Sequence, residues 1–169
     1  MNVKQRAEAI GTFRYIEVRL METAALWVPL TAEMEVKVLL GRHIFDFAQH
    51  ADWLGKRAFE LRQPEHFTRK ANDAYVGLLD SLKETHSTEE KLSSLYDVVL
   101  PGLVRRYEAY VAETDALLDA PSVVILQRVA TDLRRQIEEG TRLRTELGIG
   151  TPSVNVLRQK EGAIATVVA

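Results

Sequence analysis

Four ionisable side chains, Glu35, His43, Asp46 and His50, recur at spacings that place them on one helical face. At about 100° per residue they fall within a sector of about 80°. Apolar Leu39 lies within that sector and Leu54 just beyond its edge, inside a segment otherwise patterned as core. Imidazoles and carboxylates in a core need partners, because an unpaired buried polar group costs roughly 1–3 kcal/mol. The partner is a metal ion, a substrate or another buried side chain. Two histidines with one or two carboxylates suit a single iron or manganese ion. The same groups also suit hydrogen-bonded pairs that fix helix register with no chemistry at all.

Composition narrows the alternatives. The chain has 169 residues, 46% of them hydrophobic, enough for one core and one domain. With 22 basic and 24 acidic residues there is no global field to attract nucleic acid or an anionic membrane surface. The absence of cysteine excludes disulfides, thiolate catalysis and zinc-thiolate sites, and fits a reducing cytoplasm. The first residues are too charged for a signal peptide, and no apolar run approaches the roughly 18 residues of a membrane span. There is no Gly-rich phosphate loop, no Gly-x-Ser-x-Gly elbow and no His-Glu-x-x-His zinc motif. A cytoplasmic protein with no nucleic-acid or membrane partner is the expectation.

The elements that must position the polar face are helices. Phe13, Ile16, Leu20, Ala24 and Trp27 recur at helical spacing in a first helix, stopped by Pro29. Thr31 reads as the cap of a second, which can run unbroken to about Arg62. A third, shorter helix ends near Thr85, with Tyr75, Leu78, Leu79 and Leu82 inward. Ser87 and Glu90 form a capping-box pattern for a fourth, which passes Leu92 to Leu118 with a kink expected at Pro101-Gly102. Asp119 and Pro121 open a fifth that Gly148 and Gly150 end. Residues 1–150 thus form one helical domain, and 151–169 a tail with a short helix started near Thr151.

Four long helices joined through a shorter one give an all-α four-helix bundle, up-down-down-up, with a crossover helix between the second and third bundle helices. If the first two helices turn near Leu30, Glu17 is level with His43, while Tyr107 and Asp132 reach the level of His50. Glu17, His43, Asp46, His50, Tyr107 and Asp132 are therefore expected to converge at mid-bundle.

The helix lengths, the long connection and the inward Glu17 and His50 resemble the ferritin-like superfamily. Residues 33–62 (EMEVKVLLGRHIFDFAQHADWLGKRAFELR), 96–103 (YDVVLPGL) and 114–135 (TDALLDAPSVVILQRVATDLRR) are similar to a bacterial group of ferritin-like proteins. The resemblance implies a glutamate on the first bundle helix, Glu-x-x-His on the second, glutamate on the third and Glu-x-x-His on the fourth, holding iron or manganese for oxygen chemistry. Glu17 matches the first. The second helix offers His43, Asp46 and His50 at other spacings, the third offers Tyr107 instead of an acid, and the last offers Asp132 followed by Arg135.

Two functional readings follow. In one, iron or manganese held by Glu17, His43, Asp46, His50 and Asp132 makes the chain an oxidoreductase acting on a small organic substrate, with Glu35 and Tyr107 lining the pocket. In the other, the chain is a metal-free ferritin-like scaffold that binds a small molecule or a protein partner. Phe45 and Trp53 lie on the flank of a second helix whose other side carries Leu40, Ile44 and Phe47. A helix apolar on two sides meets a second subunit, so a homodimer through that helix is expected.

Overall fold

Side chains that satisfy the open backbone donors set most helix starts. In the computed structural model, which describes residues 1–169, α1 spans Val3–Trp27. Asn2 accepts from the Gln5 amide while the Gln5 side chain accepts from the Asn2 amide. α2 spans Met34–Glu60, and its cap differs from expectation. Thr31 donates to the Trp27 carbonyl and so closes α1, leaving Glu33 as the residue before α2. Glu33 in turn accepts from the Thr88 hydroxyl at 2.7 Å.

The connecting segment is less helical than its sequence suggests. Arg62 and His66 adopt positive φ angles of 68° and 64°, and only Asp73–Lys83 forms α3, capped by Asn72. α4, Thr88–Ser94, starts on the expected Ser87 and Glu90 capping box. It continues through a π-helical turn at Leu95–Val99 into α5, Leu100–Glu113. The kink expected at Pro101-Gly102 thus lies one turn upstream. Proline has no N–H to return to the preceding turn. The Leu100 amide instead bonds to the Leu95 carbonyl five residues back, and the widened turn absorbs the defect. Leu118, expected inward, is exposed because α5 stops at Glu113 and the chain turns about Asp115, whose carboxylate accepts from the Leu117 and Leu118 amides.

α6 spans Ala120–Glu146 and ends before Gly148, whose φ of +63° suits glycine. α7, Asn155–Gly162, lies in the tail. The chain is all-α, with no strand. No helix is long and apolar enough to cross a membrane.

Cross-chain pairs give the helix directions. Arg14 meets Ala51 and Glu17 meets His50, so α1 and α2 are antiparallel. His43 meets Glu139, His50 meets Asp132 and Arg57 meets Asp119, so α2 and α6 are antiparallel. Asp97 pairs with Arg144 and Glu108 with Arg134, which sets α5 against α6. The core between them includes Ile16, Leu54, Leu103, Tyr107, Leu126 and Leu133, all fully buried. Truncating one such leucine to alanine costs about 2–5 kcal/mol.

Candidate functional site

The inward face of α2 carries His43, His50 and Arg57, each two turns from the next. One heptad is about 10.5 Å of helix. The two imidazoles therefore sit at separate levels, and each takes its own acid from α6.

At the His50 level the partners form a chain. The Tyr107 hydroxyl donates to Glu17 Oε1 at 2.5 Å, Glu17 Oε2 lies 3.2 Å from His50 Nδ1, and His50 Nε2 lies 3.4 Å from Asp132 Oδ2. Glu17 and Tyr107 are fully buried and His50 nearly so. Two carboxylates that only accept call on both ring nitrogens of His50 to donate, an arrangement that favours the imidazolium. Burial pulls against that charge, but Glu17 and Asp132 outweigh it and hold His50 above its ordinary pKa. Burial, reinforced by Glu17, pushes the Tyr107 phenol well above its ordinary value. Glu17 thus meets His50, not His43. Residues 28–33 separate α1 from α2, so the mirror point of the hairpin lies near Glu33, about one turn beyond Leu30, and each partner on α2 shifts by about two turns.

At the His43 level the chemistry is reversed. His43 Nδ1 lies 2.8 Å from the Tyr96 hydroxyl and Nε2 lies 3.1 Å from Glu139 Oε2. A phenol can donate, so one ring nitrogen accepts while Nε2–H donates to the carboxylate, and the imidazole is neutral. Burial lowers the His43 pKa more than Glu139 raises it. Burial also opposes the charge on Glu139, whose bonds to His43 and Arg135 nevertheless hold its pKa below the ordinary carboxylate range. Glu139 is the participant that sequence reasoning missed. Its signal is the heptad it shares with Asp132, matching the His43 and His50 heptad on the facing helix.

Arg135 ties the two levels together. Its guanidinium is 2.7 Å from Asp46, 3.3 Å from Glu139 and 3.6 Å from Asp132. Asp46 is half-buried against Arg135 and Gln136, and these bonds overcome burial to lower its pKa. It does not join either imidazole. Glu35 is exposed and lines a surface depression of about 340 Å³ with Arg42, Glu139 and Arg142, outside the polar core.

A third rung lies two turns on. Arg57 donates to Asp119 at 2.9 Å and to Ser122 at 2.7 Å. Asp119 also accepts from Tyr110 and Thr114. Burial opposes its charge, yet the bonds from Ser122, Tyr110, Arg57 and Thr114 together keep it below the ordinary range.

The arrangement meets a resident metal poorly. No three His, Asp or Glu side chains converge on one point that could hold an ion. Every imidazole nitrogen of His43 and His50 already has a side-chain partner. Glu17, His43 and His50 line none of the principal surface depressions. The chain matches no family model, no curated protein and no solved structure.

Proposed function

We propose that this chain is a metal-free, ferritin-like four-helix scaffold that works by binding, with α3 as the crossover between its second and third bundle helices. The observation that carries the reading is the saturation of both imidazoles. Each bridges two side chains of the same molecule, so an ion at either level would have to displace a partner from a buried position. In this reading the polar rungs select one register of α2 against α6, since a one-turn slip would leave a buried carboxylate facing leucine.

The iron or manganese oxidoreductase keeps one point in its favour. Glu17 Oε2 and His50 Nδ1 are adjacent, and Asp132 stands behind the other ring nitrogen, as carboxylates stand behind metal-bound imidazoles. It lacks a third donor, because Tyr107 is committed to Glu17.

Elemental analysis of protein made in iron- and manganese-supplemented medium separates the two. The scaffold reading expects substoichiometric metal, and His50→Ala lowers unfolding stability by about 3 kcal/mol because Glu17 is left buried without its cation. Stoichiometric iron or manganese that His50→Ala abolishes at little cost in stability would overturn it.

A further inference from the structure

α2 has a second apolar face, pointing away from the core. Met34, Val38, Phe45 and Phe59 are 57–66% exposed along its whole length. Between them at the same angle stand small residues, Gly41 and Ala48 exposed and Gly55 half-exposed, with Asp52 the one charged member. Read in order, these positions step by four and three residues alternately from Met34 to Phe59. That is the seam of a coiled coil, sustained over about 37 Å of helix. From Met34 to Asp52 the seam lies open, while at Gly55 the Arg14 side chain of α1 occupies the place where a Cβ would sit. Trp53, expected on this face, instead lies under the Arg128 guanidinium of α6 at 4.2 Å and packs against its own core. Phe45 therefore leads the seam, and Trp53 takes no part.

The geometry points to a second copy of this chain as the occupant, its α2 antiparallel to the first across a two-fold axis near Phe47. The pattern is complementary to its own reverse. In that register Phe45 faces Ala48 of the second copy, Val38 faces Gly55, Met34 faces Phe59, and Asp52 faces Gly41. At the centre the large Phe45 meets the small Ala48, as interdigitating layers require, and the large pair Met34 and Phe59 closes each end. Gly41 has no atom within 4 Å of where a Cβ would sit, so the space opposite Asp52 is open.

The charges at the flanks select the same register. Glu35 comes beside Lys56 of the second copy, twice by symmetry, and Arg42 beside Gln49. Lys56 already bonds Asp52 on its own helix at 2.6 Å, so the partner glutamate completes a three-charge chain. Parallel pairing fails on each count. It would stack Asp52 on Asp52 within the seam, put Lys37 beside Arg42, and leave Gly41 on Gly41 as a void. Like charges across a coiled-coil interface discriminate between orientations in this way.

This inference names one partner for the proposed scaffold and is independent of its metal content. A monomer would remove the seam and leave the scaffold, whereas bound stoichiometric iron would remove the scaffold and leave the seam. Sedimentation or light scattering at micromolar concentration should give twice the chain mass of 19.1 kDa. Phe45→Glu, on an exposed side chain, should raise the dimer dissociation constant roughly 30-fold or more, as for a central anchor, with helix content unchanged. Lys56→Glu should weaken the dimer, and adding Glu35→Lys should restore it. Because the chain has no cysteine, mixing Phe45→Cys with Ala48→Cys chains should give a disulfide heterodimer on oxidation in preference to either homodimer. A monomeric wild type, a dimer indifferent to Phe45→Glu, or failure of the charge swap to rescue would each overturn the proposal.

Discussion

Two histidines of one helix, two turns apart and both buried, are shifted in opposite directions by what their neighbours can donate or accept. His50 lies between two carboxylates, which favour its cation, while His43 lies between a phenol and a carboxylate, where burial favours its neutral form. The consequences for stability have opposite signs. The His50 pKa is raised on folding, so its contribution is full below the unfolded value of about 6.5 and is lost as pH rises through the folded value. The His43 pKa is depressed, so its contribution is full above about 6.5 and is lost as pH falls through its lower folded value. Together they put a maximum near pH 6.5. Imidazole proton shifts followed by NMR should show one ring titrating above and one below the free value. In urea unfolding, His50→Gln should abolish the decline on the alkaline side while leaving the acidic one. Coincident titration of the two rings would contradict this assignment.

Among the elements, the run from Thr88 to Glu113 depends on an interruption that Pro101 announces but whose position no local signal marks. Its start was legible because Ser87 and Glu90 are three residues apart and satisfy each other's backbone. The π turn was not, because Pro101 fixes only that a bond is missing, and where the ladder widens depends on the packing of Tyr96. That ring lies directly on Gly140 of α6, where an added Cβ would overlap it. Gly140 thus permits the close approach that lets Tyr96 reach His43 at 2.8 Å. Gly140→Ala should destabilise the protein by about 1–3 kcal/mol despite alanine's better helix propensity, measured by chemical denaturation. A stabilised variant would show that the approach is dispensable. The site was legible to the same partial degree. Periodicity identified Glu17, His43, His50 and Tyr107 as buried polar residues, but their pairing depends on loop lengths. Residues 28–33 moved Glu17 from His43 to His50, and Glu139, off the apolar stripe of its own helix, gave no sign without the facing heptad.

For the molecule as a whole, the tail decides how far the core extends. From Thr151 onward the sequence looks weakly specified, yet it returns across the end of α5 and the connection before α3. Glu161 on α7 is buried and pairs with both Arg105 and Arg106, at 2.7 Å for Arg105. Arg106 also donates to the Ile164 carbonyl and stands over the Tyr75 ring at 5.2 Å. Val167 is buried in the main core, its carbonyl accepts from the Asn72 amide, and Arg69 bonds the Ala169 carbonyl. Removing residues 151–169 would therefore strip Arg106 of its carboxylate and expose apolar surface over Tyr75 and Phe13, which lies beside the tail. Burial of a single valine contributes about 1.5–3 kcal/mol, and Leu157 and Ile164 add to it. For a domain of this size each kcal/mol moves the melting temperature by about 2–4 °C. Deletion after Gly150 should lower it by about 10 °C in a scanning calorimeter, within one cooperative transition, because the tail shares the core of the helices it covers. An unchanged melting temperature, or a separate low-temperature transition in the full chain, would mark the tail as an appendage.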